Sequence, residues 1–234
     1  MKVPRHRQPY MQCAPTCLAE VMEYFTRKKY DIKELIEETK TIYKGMDWIF
    51  LLGLSALKRG FKTKVITSST EIFDPSWINL NNKKLLNKIE RRIKFLSSIK
   101  RKDKYITEWN LYPLKTAKLF IENGGELVFS IITKELIKHF LKNRIPVIAP
   151  VNENIFFGIK RTTEDDEYSD IRGFTHGHYI VISGFSRDEF IITDSDRVSD
   201  YLKGVLKRKM DHVICSILTL LPVILVIYKG GDEN

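Results

Sequence analysis

Gln8-Pro-Tyr-Met-Gln-Cys-Ala-Pro-Thr-Cys-Leu-Ala-Glu-Val-Met22 is the stretch on which the reading turns, because it sets a cysteine at the start of a helix. Cys17, Leu18, Val21, Met22 and Phe25 fall at i, i+1, i+4, i+5 and i+8. That apolar stripe predicts an amphipathic helix with Glu20, Glu23 and Thr26 on its polar side. Pro15 fits the first turn, where its missing N–H has no intrahelical partner to lose. Cys13 therefore lies at the N-terminal end, before unpaired N–H groups and the positive end of the helix dipole. Such an end and a neighbouring imidazolium are the means by which a thiol becomes a thiolate near neutral pH. Without a partner the same cysteine would be an inert, partly buried thiol.

The partner is found in His176-Gly-His-Tyr-Ile-Val-Ile-Ser-Gly184, continued by Phe185-Ser-Arg-Asp-Glu-Phe-Ile-Ile-Thr-Asp194. Two apolar runs, Tyr179 to Ile182 and Phe190 to Thr193, flank a polar turn from Ser186 to Glu189, which predicts a β-hairpin. His178 and Asp194 stand at its outer ends and are expected to pair in register. There a carboxylate fixes the tautomer of an imidazole and stabilises its protonated form. His176 would share a face with His178, since strand residues two apart do. His178 is preferred because it begins the apolar strand, and His176 is read as a rim or surface histidine.

These segments resemble the bacteriocin-processing cysteine peptidases that cut after double-glycine leaders, and more closely their stand-alone relatives without a transporter. The resemblance rests on Gln8 to Met22, on Gly177 to Phe185 and on Ile192-Thr-Asp194, and extends to the apolar helix from Trp48 to Phe61. It touches the N-terminal third and residues 145 to 194. It implies an α+β, papain-like fold, an N-terminal helical half packed on an antiparallel sheet. It also implies Cys13 as nucleophile, His178 as general base and acid, Asp194 as orienter and Gln8 as an oxyanion donor. Three departures stand out: the Gln8 to Cys13 spacing is one residue short, Ala14 replaces the usual glycine, and Ser195 replaces the usual proline. Loss of one oxyanion donor costs about 10²–10³ in turnover, so a displaced Gln8 still leaves room for slow catalysis.

With 234 residues and 43% apolar content the chain has enough material for a core, read as one domain over 1–234 with a basic helical insertion at about 81–118. Between Lys83 and Lys118 twelve basic residues stand against Glu90, Asp103 and Glu108, which accounts for most of the net charge of +10. Leu85, Leu86, Ile89, Ile93 and Leu96 keep a helical stripe through that run, so the charges read as a solvated face followed by a basic turn. A sharper reading is an acidic partner or an anionic membrane surface; nucleic acid is the weakest, for want of a recognisable motif. Three cysteines and no secretory leader after Met1 suggest a reducing, cytoplasmic setting.

Further elements follow from pattern. Asp31 and Glu34 suggest a capping box, and strands are expected at Phe61 to Ile66, Leu127 to Ile132 and Pro146 to Val151. Thr133 to Leu141 has helical spacing, and 152–177, with its Glu164-Asp-Asp-Glu run, reads as a loop over the cleft. Val213 to Tyr228 is nearly uncharged but short for a membrane span, which needs about 20 residues, and Pro222 interrupts it. It reads as a buried helix end followed by a last strand, Val223 to Tyr228. The tail Gly230-Gly231 raises self-trimming, although a flexible end is the simpler reading. No ATPase motif or multi-span region is seen.

The expected activity is thus cleavage of a peptide or protein substrate through a Cys-His-Asp triad and a thioester, without cofactor. An acyltransferase using the same thioester, a non-catalytic peptide-binding module and a zinc site from Cys13, Cys17, His176 and His178 are the alternatives. The zinc reading is weakened because Cys17 belongs to the apolar stripe.

Overall fold

The computed structural model describes residues 1–40, 47–100, 103, 105–196 and 204–230. Among the described residues seven strands form one sheet: β1 (Lys62–Thr67), β2 (Glu126–Phe129), β3 (Val147–Asn152), β4 (Gly177–Ser186), β5 (Glu189–Thr193), β6 (Val205–Lys209) and β7 (Val223–Tyr228), in the order β2-β1-β7-β3-β4-β5-β6. Neighbours are antiparallel except β1 and β2, which run parallel because the long connection between them returns the chain to its starting end.

Helices cover both faces. On one lie α1 (Cys13–Thr26), α2 (Ile32–Glu38), α3 (Asp47–Lys58), α4 (Asn82–Ser98) and α5 (Tyr112–Glu122), around Leu18, Phe50, Phe120 and the strand residues Val181 and Leu225. On the other lie α6 (Lys134–Lys142), α7 (Glu153–Phe157) and α8 (Met210–Leu218), around Ile137, Phe156, Val213, Ile180 and Val226. β7 alternates between the two cores, with Val223, Leu225 and Ile227 in the first and Ile224, Val226 and Tyr228 in the second. Burial on both faces explains its unbroken apolar run. Among the described residues no helix is long and apolar enough to cross a membrane.

The expected elements recur with adjusted ends. β2 stops at Phe129, short of Ile132, and Thr133 caps α6 by accepting from the Leu136 N–H at 3.1 Å. The expected loop at 152–177 begins instead as α7, capped by Asn152, which accepts from the Ile155 N–H at 3.2 Å. Only half of the capping box forms: Asp31 accepts from the Lys33 N–H at 2.9 Å, whereas Glu34 pairs with Arg59 at 2.8 Å. α4 keeps its predicted stripe, with Leu85, Ile89 and Leu96 buried and Asn81 as its cap. Arg101, Lys102 and Lys104 of the basic turn, and Gly231 of the tail, lie outside the described residues.

The polar side of α1 is a correction. Glu20, expected toward solvent, is fully buried, because residues 1–8 cross that face of the helix. Glu20 accepts from the His6 N–H at 2.8 Å, and Glu23 meets the His6 ring nitrogen at 2.7 Å.

Candidate active site

Cys13 is the first residue of α1 and is 7% exposed. Gln12, at the cap position, offers no side-chain bond to the first turn, and Pro15 has no N–H, so the helix end is left open beside the thiol. Packing against β4 fixes where that end falls: the Cys17 thiol donates to the Tyr179 carbonyl at 3.3 Å, and the Trp48 ring meets Tyr179 at 5.5 Å between centroids. Burial, and next the charge of Glu20, push the Cys17 thiol well above its ordinary value, so it stays neutral and serves packing.

His178 is the second residue of β4, opposite Val151 of β3, and is 4% exposed. Its Nε2 bonds Asp194 Oδ1 at 2.8 Å, and Phe157 packs on the ring at 5.8 Å between centroids. Asp194 takes Nε2 alone, and Cys13 lies close enough to the imidazole to favour its protonated form. Burial acts against a charge on His178, yet the bonds to Asp194 and to Cys13 outweigh it and hold the imidazole well above the ordinary histidine range.

Direct pairing of His178 with Asp194 across the hairpin is not what brings them together. Thr193 lies opposite Val181, and the register shifts at Ser183, between Ile182 and Gly184. An unshifted hairpin would carry Asp194 opposite Val181, whose side chain faces the α1 core. The β-bulge moves it one place along, in line with Ile180 and therefore on the face His178 shares. A single extra residue thus decides whether carboxylate and imidazole can meet.

The turn after Asp194 is tied down from the other end of the chain. Arg5 donates through Nε to the Asp194 carbonyl at 2.7 Å and through Nη2 to the Asp196 carbonyl at 2.9 Å. Asp194 Oδ1 also accepts from the Asp196 N–H at 3.0 Å, and the Asp194 N–H donates to the Gly204 carbonyl at 2.8 Å. Gly204 has φ +68°, and a Cβ there would collide with the Arg5 side chain and the Asp194 carbonyl, so this position requires glycine.

Gln8 belongs to the same tie. Its Nε2 donates to Asp196 at 2.9 Å, its Oε1 accepts from the Ser195 hydroxyl at 2.8 Å, and its backbone N–H donates to the Ser195 carbonyl at 3.0 Å. Glu20 lies behind the pair: burial pushes its carboxyl well up, the His6 N–H draws it back, and Asp194 pushes it up further. Its Oε2 is buried without a hydrogen-bond partner. Glu153, beside the histidines, is likewise raised by burial although His178 and His176 draw it down.

Cys13, His178 and Asp194 are therefore brought together, while Gln8 is drawn toward Ser195 and Asp196. His176 is exposed, as read from its place before the strand. Cys17 and His176 do not join a ligand set, and among the described residues no three His, Cys, Asp or Glu side chains converge as metal ligands. Arg5, Glu20, Glu153 and Asp196 were not singled out by sequence. Nothing near Arg5 marks a partner 189 positions away; Gly184 inside a strand pattern was the one available sign of the bulge.

A thiol at an open helix end, a buried imidazole and a carboxylate behind it on an α+β scaffold make a cysteine-peptidase-like site. The family model of the Peptidase_C39 like family matches residues 1–210, and the chain belongs to that family. Solved structures similar to it include the peptidase domain of Streptococcus ComA, a bi-functional ABC transporter involved in a quorum sensing pathway. That likeness has 13% identity and a TM-score of 0.45, and covers 98% of this chain and 100% of that one. A C39-like protein from Bacillus anthracis is similar at 14% identity and a TM-score of 0.45, over 97% of this chain and 95% of that one. No curated protein matches the chain.

Proposed function

We propose that the chain is a cysteine peptidase in which Cys13 is the nucleophile, His178 the general base and acid, and Asp194 the orienting carboxylate. The observation that carries this reading is the buried His178–Asp194 bond of 2.8 Å, with Cys13 near enough to the imidazole to help hold its proton. Cys13 gives its proton to His178 and its sulfur adds to the peptide carbonyl carbon. As the C–N bond breaks, His178 passes that proton to the leaving amine, and a thioester remains. Water then gives a proton to His178 and adds to the thioester; the C–S bond breaks, and the sulfur takes the proton back. The transient oxyanion is received by the Cys13 N–H and by the second N–H of the Gln8 amide, whose first is engaged by Asp196.

Membership of the Peptidase_C39 like family supports a peptide or protein substrate, and leader-peptide processing is the form of that activity we propose. Residues 1–234 act as one domain, with the basic segment at about 81–118 as an insertion. A reducing cytoplasm suits three free thiols. An amine in place of water would make the same thioester an acyl donor.

Brief iodoacetamide treatment at pH 6 followed by peptide mass spectrometry tests the site. Exposure alone favours Cys215, which is exposed, over buried Cys13. Labelling at Cys13 at least about tenfold faster than at Cys215, and lost in His178→Ala, is the expected result. Labelling led by Cys215 overturns it. The engagement of the Gln8 amide by Ser195 and Asp196 favours a second reading, a non-catalytic peptide-binding module. That reading requires peptide binding unaltered by Cys13→Ala and no product from any peptide supplied.

A further inference from the structure

The two outer strands of the sheet differ. β6 carries Lys207, Arg208 and Lys209, the charged dressing that keeps an edge from pairing with another chain. β2, at the opposite edge, reads Glu-Leu-Val-Phe, and its one charge, Glu126, is paired with Lys64 at 3.3 Å. Alternation shows which backbone groups of β2 are turned outward. The Ser130 N–H donates to the Thr67 carbonyl of β1, so the groups of Val128 and Glu126 also point to β1. Those of Leu127 and Phe129 point away, and among the described residues none of them receives a hydrogen bond.

A cavity flanks this edge on each face. One, of about 170 Å³, runs along all four β2 residues toward Phe73, Trp77 and the start of α4. The other, of about 480 Å³, lies between Val128 and the α6 residues Leu136, His139 and Phe140. An added strand sends alternate side chains to opposite faces, which is how such cavities would be filled. Charge selects the occupant. Lys83 and Lys84 are exposed at the start of α4, where Asn82 reaches the Gly125 carbonyl at 3.5 Å, and Lys142 is exposed at the end of α6.

We infer that the β2 edge is a docking site for an extended acidic peptide segment, which adds as an eighth strand, fills both cavities with apolar side chains and meets the lysines with Asp or Glu. The site is separate from Cys13 and does not depend on catalysis.

The test uses the full chain carrying Cys13→Ala and a fluorescent octapeptide probe with Val and Phe at its four central positions and two Glu at each end. Anisotropy should show saturable binding, at least about tenfold weaker for the same probe with Lys in place of Glu. Amide exchange should slow at Leu127 and Phe129 on binding. Phe129→Pro removes an outward N–H without touching the β1 pairing, and should weaken the probe about tenfold with an unchanged circular dichroism spectrum; Phe129→Ala, which keeps the N–H, should weaken it less. Equal binding of the Lys probe, protection confined to the surroundings of Cys13, or full affinity in Phe129→Pro overturns the inference. So does a dimer without peptide that Phe129→Pro dissolves, since a second copy would then own the edge.

Discussion

The surroundings of His178 and the outer face of α4 treat charge in opposite ways. Most of the chain's excess charge lies around α4, on side chains such as Lys83, Lys84 and Lys88 that stand in solvent. There each charge is screened within about 10 Å and perturbs little. Around His178 a few groups carry little net charge, yet His178, Asp194 and Glu20 are each buried, and the Asp194 charge raises both His178 and Glu20. In a medium of low effective dielectric the same unit charge acts several times more strongly. Burial and pairing, more than the number of charges, mark where chemistry is to be sought.

Three experiments press on that contrast. The largest effect is expected from Asp194→Asn. Against the opposing effect of burial, Asp194 and Cys13 hold the His178 proton well above the ordinary histidine range, so the proton that the proposed mechanism passes to the leaving amine survives as pH rises past about 6.5 and is lost only at the raised value. Removing the carboxylate should move the alkaline limb of the pH–rate profile downward and cut kcat on the order of 10³-fold. An unmoved limb would detach Asp194 from the protonation of His178.

Glu20→Gln should act on stability. A buried carboxyl with a raised pKa keeps its proton in the folded state while the unfolded chain ionises, so its stabilising share is whole below about pH 4.3 and drains away as pH climbs to the folded value. The variant carries no such loss. Urea denaturation should therefore show its stability relative to the parent improving from pH 5 to pH 8, by at most about 1.4 kcal/mol per unit. A pH-independent difference would mean that Glu20 is ionised where it lies.

Lys88→Gln sits at the other end of the scale. It should change stability by less than about 0.5 kcal/mol and leave Cys13 labelling unaltered. A loss of several-fold in labelling would show that the α4 field reaches the site.

The parts of the fold that were legible in sequence are those set by local periodicity. The stripe of Cys17, Leu18 and Met22, the apolar run of Val223 to Tyr228 and the cysteine at the head of its helix each depend on near neighbours and on one burial surface. What escaped depends on distant parts of the chain. An amphipathic pattern reports one buried face, so Glu20 read as solvated until residues 1–8 were seen to cover it. Hairpin ends can be counted from a turn only while the register holds, and one residue at Ser183 shifts it. The partners of Gln8 lie 187 and 188 positions away, which no spacing rule encodes.

The tie between Arg5 and the Asp194 turn has a consequence for the protein's own synthesis. In chain order the Cys13 thiol is made 165 positions before the imidazole of His178, and the clasp on Asp194 is complete only with Gly204. A nascent chain therefore carries Cys13 without its imidazole while the intervening residues are made. Under the mechanism proposed above, any activity of Cys13 waits until β1 to β5 have been made, so its timing follows from the distance between the two halves of the site.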